Sequence, residues 1–153
     1  MCLYIIEIME NNASNGMMSK VWGPLLWHSI HIISFNYPLE PTNKQKKEYY
    51  NFIKSLKYIL PCKYCRDNFK TNLKKAKLSK KVFNNRKNFS KFIYNLHNVV
   101  NISLGKKKYK TYEKISKFYE QFRASCDKNK KKCKNPIKGN IKYKTNIDFI
   151  AFN

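Results

Sequence analysis

The chain has 153 residues, enough for one domain with tails, and its content of 42% hydrophobic and 15% aromatic residues excludes a fully disordered protein. No apolar run reaches the roughly eighteen residues of a membrane-spanning helix, and residues 1–12, which carry Glu7 and Glu10, lack the basic start of a secretory signal. The 32 Lys and Arg residues outnumber the 9 Asp and Glu residues and give a net charge of +23. Of the 32 basic residues, 29 are Lys, and the chain is rich in residues with AT-rich codons. We therefore attribute much of this charge to genome composition rather than to nucleic-acid binding.

The first predicted helix spans residues 24–36 and follows a polar arm at residues 1–20 that we expect to be flexible. Its apolar residues have helical spacing, and Pro24 suits the first turn of a helix, where the missing N–H has no partner to lose. Tyr37 and Pro38 end the helix, because the residue before a proline avoids the helical conformation.

The second predicted helix runs from Thr42 to Tyr58. Thr42 and Gln45 have the spacing of a capping box, which marks a helix N-terminus. One side of this helix is apolar and consists of Tyr49, Phe52, Ile53, Leu56 and Ile59. Tyr49, Tyr50, Phe52 and Ile53 together offer more apolar surface than one face of a bundle needs, so we expect a homodimer built on the first helices.

Two more helices flank a basic connector. Pro61 ends the second helix, and the sequence C-K-Y-C at residues 62–65 opens the third. Residues 74–87 form the connector, with room for one helical turn. The fourth predicted helix spans residues 88–104, and Gly105 suits the left-handed position that follows a helix C-terminus. Its apolar stripe consists of Phe89, Phe92, Ile93, Leu96, Val99 and Val100.

A fifth, shorter helix is predicted from Thr111 to near Cys126. No convincing strand pattern interrupts residues 22–126, so the expected fold is all-α: a four-helix bundle with a short fifth helix. We divide the chain into the arm at 1–20, a helical domain at 21–126 and a Lys-rich tail at 127–153. Apolar and polar residues alternate over 141–149, which fits a short strand and a disordered segment equally well.

The five cysteines include two close pairs, Cys62 with Cys65 and Cys126 with Cys133, and leave Cys2 over. Cys62 and Cys65 follow a proline at a helix N-terminus, where partial positive charge favours the thiolate. This arrangement predicts a reactive dithiol. Alternatively, the two pairs together supply the four ligands of a zinc site, although the gap in the second pair is unusual.

Two further groups of residues point to a ligand. Trp27 and His31 are one helical turn apart and project from one face; taken alone, they fit a packed core better than a ligand site. His97, Asn98 and Asn101 interrupt the apolar stripe of the fourth helix. Because buried polar groups need partners, this second group implies a polar object in the core, such as a bound cofactor.

Together these residues resemble the Erv/ALR family of FAD-linked sulfhydryl oxidases. Four separated motifs carry the resemblance: G-P-L-L-W-H-S-I-H at 23–31, Y-P at 37–38, L-P-C-K-Y-C-R at 60–66 and N-L-H-N-V-V-N-I-S-L-G-K at 95–106. Their order and spacing fit the family over residues 22–126. The small single domain and the Lys and Asn bias look most like the versions encoded by large cytoplasmic DNA viruses.

The resemblance implies that the bundle holds FAD at its mouth. Cys65 would lie against the isoalloxazine and Cys62 would face outward, while Cys126 and Cys133 would correspond to the structural disulfide of the family. Pro24 stands where cellular members often carry Arg, which puts one phosphate contact in doubt. The implied cofactor-site residues are Gly23, Trp27, His31, Tyr37, His97, Asn98, Val100, Asn101 and Lys106, with Tyr109 and Phe118 as the candidates to close over the ring system.

The implied activity is the oxidation of protein dithiols, with electrons passing through FAD to oxygen and yielding hydrogen peroxide. The implied partners are a dithiol protein, for which a thioredoxin-like carrier is one candidate, oxygen and a second copy of the chain. No metal is expected. The missing signal, together with a working disulfide motif, favours a viral factory in the host cytoplasm or the virion over the secretory pathway, and we rank the mitochondrial intermembrane space below both. The rival interpretation is a zinc-stabilised, basic nucleic-acid-binding module that uses the lysines of 128–134.

Overall fold

The computed structural model of the chain describes residues 16–108, 111–127 and 132–136. Within them it confirms the expected helical architecture of five α-helices, and none of these helices is long and apolar enough to cross a membrane. The elements in chain order are α1 Ser19–Phe35, α2 Asn43–Ile59, α3 Lys63–Lys75, a 3₁₀ helix Lys80–Asn84, α4 Arg86–Ser103, α5 Tyr112–Glu120, and an antiparallel pair of strands, β1 Ala124–Asp127 and β2 Lys132–Pro136.

Helix boundaries agree with the prediction where the local sequence signal is strong, at the start of α2 and the end of α4. The Gln45 N–H donates to Thr42 Oγ1 over 3.2 Å, and the Thr42 N–H donates to Gln45 Oε1 over 2.9 Å, so the capping box at the start of α2 is confirmed. Gly105 has a φ of 68° after the end of α4, as predicted. The helical turn expected in the basic connector is the 3₁₀ helix.

The start of α1 differs from the prediction. The helix begins at Ser19, so Pro24 lies inside it and not in its first turn. The additional turn is held by tertiary contacts: Trp22 packs against the main core, and its Nε1 donates to the Met17 carbonyl over 3.0 Å. The missing N–H of Pro24 would have paired with the carbonyl of Lys20, an exposed residue, where water can replace the lost hydrogen bond.

The core lies between α1, α2, α3, α4 and the 3₁₀ helix, and its centre is aromatic. Tyr37 is fully buried there, and its hydroxyl donates to the Phe83 carbonyl over 2.8 Å. The rings of Tyr49 and Phe89 lie 4.6 and 5.0 Å from the Tyr37 ring, centroid to centroid. Arg86 donates to the Tyr37 carbonyl and so ties the start of α4 to the loop after α1.

The reason given above for a dimer is wrong. Ile53 is fully buried, and Tyr49, Tyr50 and Phe52 pack against the core of their own chain. These side chains are needed to cover the 3₁₀ helix and α4, because Tyr50 meets Phe83 and Tyr49 meets Phe89 edge-on. Most of the apolar face of α2 is therefore internal, and only Ile59, at the end of the helix, is largely exposed among the residues of that face.

The end of the helical domain also differs from the prediction. Helix α5 stops at Glu120 rather than near Cys126, and β1 begins at Ala124, inside the segment expected to hold no strand. Arg123 causes the early stop: its guanidinium bonds to the Phe35 carbonyl over 2.7 Å and to Glu120, which fastens the turn to α1. The alternating residues 141–149 lie outside the described part of the chain.

Candidate active site

A disulfide joins Cys62 and Cys65 at the start of α3, where their Cα atoms are 5.1 Å apart. Helix α2 ends at Ile59, with Leu60 as its C-cap, because Pro61 follows, and Cys62 is the extended N-cap residue of α3. The Cys65 N–H donates to Cys62 Sγ over 3.2 Å, in the position that a Ser or Asp oxygen takes at other helix starts. The sequence thus builds a redox-capable pair into the cap of a helix.

Arg66 holds the loop that carries this disulfide. Its guanidinium donates to the Leu60 carbonyl over 2.6 Å, and its own N–H donates to the Cys62 carbonyl over 3.0 Å. The first turn of α3 contains no acidic side chain, and Asp67, in the second turn, is paired with Lys63 at 3.3 Å. Positive charge and the helix N-terminus therefore both favour thiolate at this site.

A cluster of aromatic and imidazole rings lies between α1 and α4. Trp27 stacks on His97 with ring centroids 4.0 Å apart and planes inclined by 9°. His31 Nε2 lies 3.0 Å from His97 Nδ1, so one imidazole donates a hydrogen bond to the other. The structure thus brings together the two motifs that the sequence placed 66 residues apart.

Both buried histidines are neutral at physiological pH. Burial lowers the pKa of His31 to about 3, with a smaller contribution from His28. Burial also lowers the pKa of His97 to about 2, with His31 and then Lys106 contributing in the same direction. A neutral pair can share one hydrogen bond, whereas two imidazolium ions at this distance would repel each other.

The polar residues after His97 lie on the same helix and are positioned by its C-terminus. Asn98 and Asn101 are buried, and Val100 is half-buried. The Lys106 N–H donates to the Asn101 carbonyl over 2.8 Å and the Gly105 N–H to the Ile102 carbonyl over 3.1 Å, which is a Schellman motif. This turn keeps the exposed Lys106 close enough to the ring cluster for its charge to help lower the pKa of His97.

Two residues of this cluster, Tyr119 and His28, were not among the implied cofactor-site residues. Tyr119 of α5 stacks on His31 at 5.0 Å, and its hydroxyl lies 3.3 Å from His28 Nδ1. His28, His31 and Phe35 have helical spacing on α1, a signal that could have placed His28 beside the cluster. Phe118, which was selected instead, packs edge-on against Tyr119 and Phe122.

Other candidate residues lie apart from the cluster. Tyr37 is in the aromatic core, and a Cβ added at Gly23 would meet no atom within 4 Å. Tyr109 lies outside the described residues. Cys126 and Cys133 are on β1 and β2, at the register irregularity between Ser125 and Asp127, so the backbone places them on adjacent strands.

The zinc interpretation has no support in the structure. The Cys62–Cys65 disulfide occupies both sulfurs of the first proposed ligand pair. In the part of the chain described, no three His, Cys, Asp or Glu side chains are grouped to hold a metal ion.

Comparison with known proteins agrees with the sequence resemblance. The chain is 40% identical over 91 residues to a probable FAD-linked sulfhydryl oxidase of Acanthamoeba polyphaga mimivirus, which covers 60% of this chain and 64% of that protein. It is 31% identical over 100 residues to the FAD-linked sulfhydryl oxidase of African swine fever virus, covering 65% of this chain and 81% of the relative. The chain thus spans less than two thirds of the length of the mimivirus relative.

Solved structures give the same fold. The FAD-binding domain of Erv1 from Saccharomyces cerevisiae aligns with a TM-score of 0.57 at 26% identity, over 68% of this chain and 91% of that one. The model of the Erv1/Alr family matches residues 24–123, more than half of the chain, and this match includes the disulfide and the ring cluster. The chain belongs to the Erv1/Alr family.

Proposed function

We propose that this chain is an FAD-linked thiol oxidase, which converts pairs of substrate thiols into disulfides and passes their electrons to oxygen, giving hydrogen peroxide. The observation that carries the proposal is the Cys62–Cys65 disulfide at the N-terminus of α3, within the Erv1/Alr fold. The relatives named above as FAD-linked sulfhydryl oxidases support the same chemistry.

The ring cluster fits FAD by its chemistry. Four polar side chains of α1 and α4, those of His31, His97, Asn98 and Asn101, are at most 9% exposed. One face of the half-buried Trp27 stacks on His97, and its other face suits a flat heteroaromatic ligand, to whose polar edges the amides offer hydrogen bonds.

We infer that Trp27, His31 and His97 hold the aromatic part of FAD, and that Lys106 meets its diphosphate. When bound, FAD supplies a two-electron acceptor for the dithiol and a route from there to oxygen. Cys65 and Trp27 both pack against the main core, which supports Cys65 as the sulfur on the cofactor side.

The disulfide performs the exchange with substrate. A substrate thiolate attacks Cys62 Sγ, the Cys62–Cys65 bond breaks, and Cys65 leaves as a thiolate. The second substrate thiol loses its proton and attacks the substrate sulfur of the mixed disulfide, which releases Cys62 as a thiolate. The substrate gains one disulfide and the enzyme holds a dithiol, so two electrons have moved.

The start of α3 stabilises the released sulfurs. The Cys65 N–H already donates to Cys62 Sγ, and a hydrogen bond to a charged acceptor is stronger than one to a neutral acceptor. The positive end of α3 and the nearby Arg66 act in the same direction. Neutral His31 and His97 add no charge, so the pair contributes stacking and hydrogen bonds at pH 7.

We further propose that the enzyme is a homodimer that packs through α1. Met18, Val21, Leu25 and Ile32 are 63%, 56%, 43% and 42% exposed and share one face of the helix. A second copy would cover this stripe. Sedimentation at micromolar concentration should give the mass of a dimer, and Leu25→Asp should give a monomer; a monomer of the unchanged chain would contradict the proposal.

The location that we propose is the cytoplasm of an infected cell or the virion. The Lys- and Asn-rich composition and the similarity to viral relatives support it. Fractionation of infected cells with an antibody to this chain would test it, and enrichment in mitochondria would contradict it.

Oxygen uptake tests the proposed activity. The purified chain should be yellow, release one FAD per chain on denaturation and consume oxygen with dithiothreitol. Cys62→Ser should keep the flavin and lose the oxygen uptake. A colourless chain that consumes no oxygen in the presence of added FAD would contradict the proposal.

A further inference from the structure

One side of the loop that carries the redox disulfide is closed by the chain itself. Gly16 pairs antiparallel with Cys62, and the Met17 N–H donates to the Pro61 carbonyl. A Cβ on Gly16 would lie 2.2 Å from the Pro61 carbonyl oxygen, so this contact has no room for any side chain. Cys62 itself is half-buried. A polypeptide substrate must therefore reach Cys62 over the other residues that border the disulfide.

Three large apolar side chains border the disulfide and are exposed. Tyr58 and Ile59, at the end of α2, are 71% and 64% exposed, and Tyr64, between the two cysteines, is 67% exposed. A single exposed apolar side chain is ordinary, but a group of them beside a reactive centre marks a contact surface. Tyrosine is also one of the residues that contribute most binding energy at protein interfaces. We call these three residues the apolar rim.

Lysines surround the part of the apolar rim that α2 supplies. Lys57 Nζ lies 4.5 Å from the centroid of the Tyr58 ring, which is a cation–π contact. Lys57 lowers the pKa of the Tyr58 hydroxyl by a hydrogen bond and by its charge, and Lys54 and Lys70 add to this effect. Lysines from two helices, α2 and α3, thus lie near one exposed phenol.

The positive surface continues along α3 to the disulfide. Lys63, Asp67 and Lys70 are spaced by four and three residues, which places them on one face of that helix. Lys63 Nζ lies 5.7 Å from the centroid of the Tyr64 ring. Asp67, the only carboxylate of α3, is paired with Lys63, and no acidic residue occurs between Glu48 and Asp67. The surface beside the disulfide therefore combines exposed apolar side chains with unneutralised positive charge.

We propose that the apolar rim and the lysines around it form the docking surface for the dithiol substrate, and that this surface recognises a polypeptide segment with apolar and acidic residues next to its cysteine. The inference rests on the proposed function, since it names the class of substrate that meets the disulfide. Apolar substrate side chains cover the rim, and substrate carboxylates pair with Lys57 and Lys70. Anionic lipids would also suit lysines and apolar side chains, but they offer no thiol to the disulfide at which the surface lies.

The charge of the whole chain is a competing reason for a preference for acidic substrates, because a net charge of +23 attracts them to any part of the surface. Position separates the two explanations. Lys44 and Lys47 are exposed in the first turns of α2, roughly 20 Å along the helix from Lys57. An exchange at either end of α2 changes the net charge equally, so only local recognition distinguishes the two ends.

The test uses the full chain with Cys65→Ser, which leaves Cys62 as a free thiol. Three probe peptides differ only in the residues beside their cysteine, which are Leu and Glu, Leu and Lys, or Ser and Glu, and each peptide is carried as a disulfide with thionitrobenzoate. The Cys62 thiolate attacks the peptide sulfur, the peptide–Cys62 disulfide forms, and thionitrobenzoate leaves and is measured by its colour. Each rate is divided by the rate of the same probe with mercaptoethanol, and a Cys62→Ser, Cys65→Ser chain gives the background from other cysteines.

Two double variants test the charge. Lys57→Glu, Lys70→Glu reverses it beside the disulfide, and Lys44→Glu, Lys47→Glu makes the same change at the far end of α2. The first should lower the ratio of the Leu–Glu rate to the Leu–Lys rate about five- to twentyfold, because two attractive charge pairs become repulsive. The second should leave this ratio within about twofold. If the first double variant acts no more strongly than the second, local recognition is absent and the proposal is overturned.

A third double variant tests the apolar rim. Ile59→Ser, Tyr64→Ser should slow the Leu–Glu probe about three- to tenfold and the Ser–Glu probe by no more than about twofold, because only the first probe has an apolar side chain to bury. Leu39→Ser, at an exposed position before α2, is the control and should slow neither probe. An equal loss for both probes would show that the rim supports the loop rather than the substrate. In the chain with an intact rim, the Leu–Glu probe should already react faster than the Ser–Glu probe, so a ratio of one overturns the proposal even if a variant fails to fold.

Sedimentation with phosphatidylserine vesicles tests the membrane alternative. If Lys57→Glu, Lys70→Glu abolishes vesicle binding while all three probes react at equal normalised rates, the surface is a membrane contact and the proposal is overturned. The thiol exchange needs neither FAD nor oxygen, so failure here is distinct from failure as an oxidase.

Discussion

His31 Nε2 and His97 Nδ1 are 3.0 Å apart, and this contact joins α1 to α4 inside the bundle. Because both rings are almost fully buried, each is more stable in the neutral form than in the charged form. The contact links the fold to the site: the imidazoles of the ring cluster also hold together the two helices that carry it.

The first prediction concerns acid stability. The pKa of His31 is lowered from 6.5 to about 3 and that of His97 from 6.5 to about 2. Below pH 6.5 these histidines therefore bind protons in the unfolded chain and not in the folded chain. The free energy of unfolding should therefore fall as the pH drops from about 6.5 toward 3, by up to about 1.4 kcal/mol per pH unit for each histidine. Urea unfolding of the apoprotein across this range measures the slope.

His97→Gln isolates the contribution of one histidine. Below pH 6.5 the free energy of unfolding of this variant should fall less steeply with falling pH than that of the unchanged chain, because one proton fewer separates its folded and unfolded states. The carboxylates of both proteins are the same and cancel in the difference. Equal slopes would contradict the burial of a neutral His97.

The second prediction concerns Tyr119. Tyr119→Ala removes the ring that stacks on His31, whereas Tyr119→Phe keeps the ring and removes only the hydroxyl near His28. We expect Tyr119→Ala to weaken FAD binding by about tenfold, the effect of about 1.4 kcal/mol, and Tyr119→Phe to stay within about threefold. Titration of the apoprotein with FAD gives both constants, and equal losses in the two variants would contradict the role of the ring.

The third prediction concerns the arginines. Arg66, Arg86 and Arg123 are the three arginines of the chain, and each donates to a main-chain carbonyl at or just after the end of a helix. Arg123→Lys replaces a planar fork by a point donor, so we expect a loss of about 1–2 kcal/mol in the free energy of unfolding. Lys114→Arg, the reverse exchange at an exposed position of α5, should stay within about 0.5 kcal/mol. Thermal unfolding of both variants measures the two losses, and equal stabilities of Arg123→Lys and Lys114→Arg would contradict a stabilising role for the Arg123 guanidinium.

The fourth prediction concerns Cys126 and Cys133. Their positions on adjacent strands support the structural disulfide expected from the family resemblance. Denatured, unreduced protein should then show one free thiol per chain, that of Cys2, among the five cysteines. Replacing both residues with Ser should lower the free energy of unfolding by roughly 2–3 kcal/mol and leave dithiol oxidation intact. Three free thiols, or an inactive variant of unchanged stability, would contradict a structural role.

Local chemistry made much of the fold predictable. The capping box of Thr42 and Gln45, the break at Pro61 and the glycine at position 105 act within a few residues, so the sequence indicated them correctly. The pairing of Trp27 with His97 could be expected only through the family motifs, because no local rule relates two residues 70 positions apart.

Tertiary contacts decided what was missed. Helix α1 starts early because Trp22 is anchored to Met17 and the core, and α5 ends early because Arg123 reaches Phe35. Tyr49 and Tyr50 of α2 face inward because they pack against Phe89 of α4 and Phe83 of the 3₁₀ helix. The docking of Gly16 on Pro61 has no sequence signal beyond the glycine itself.

The most direct test of the proposed redox centre is the visible spectrum of two single variants. A thiolate stacked on oxidised flavin gives a long-wavelength absorption band, so Cys62→Ser, which leaves Cys65 as a free thiolate, should develop this band as the pH rises. Cys65→Ser should show no band, and both variants should keep FAD and lose turnover with dithiothreitol. A band in Cys65→Ser alone would reverse the roles of the two sulfurs, and full activity in both variants without any band would contradict the redox role of the Cys62–Cys65 pair.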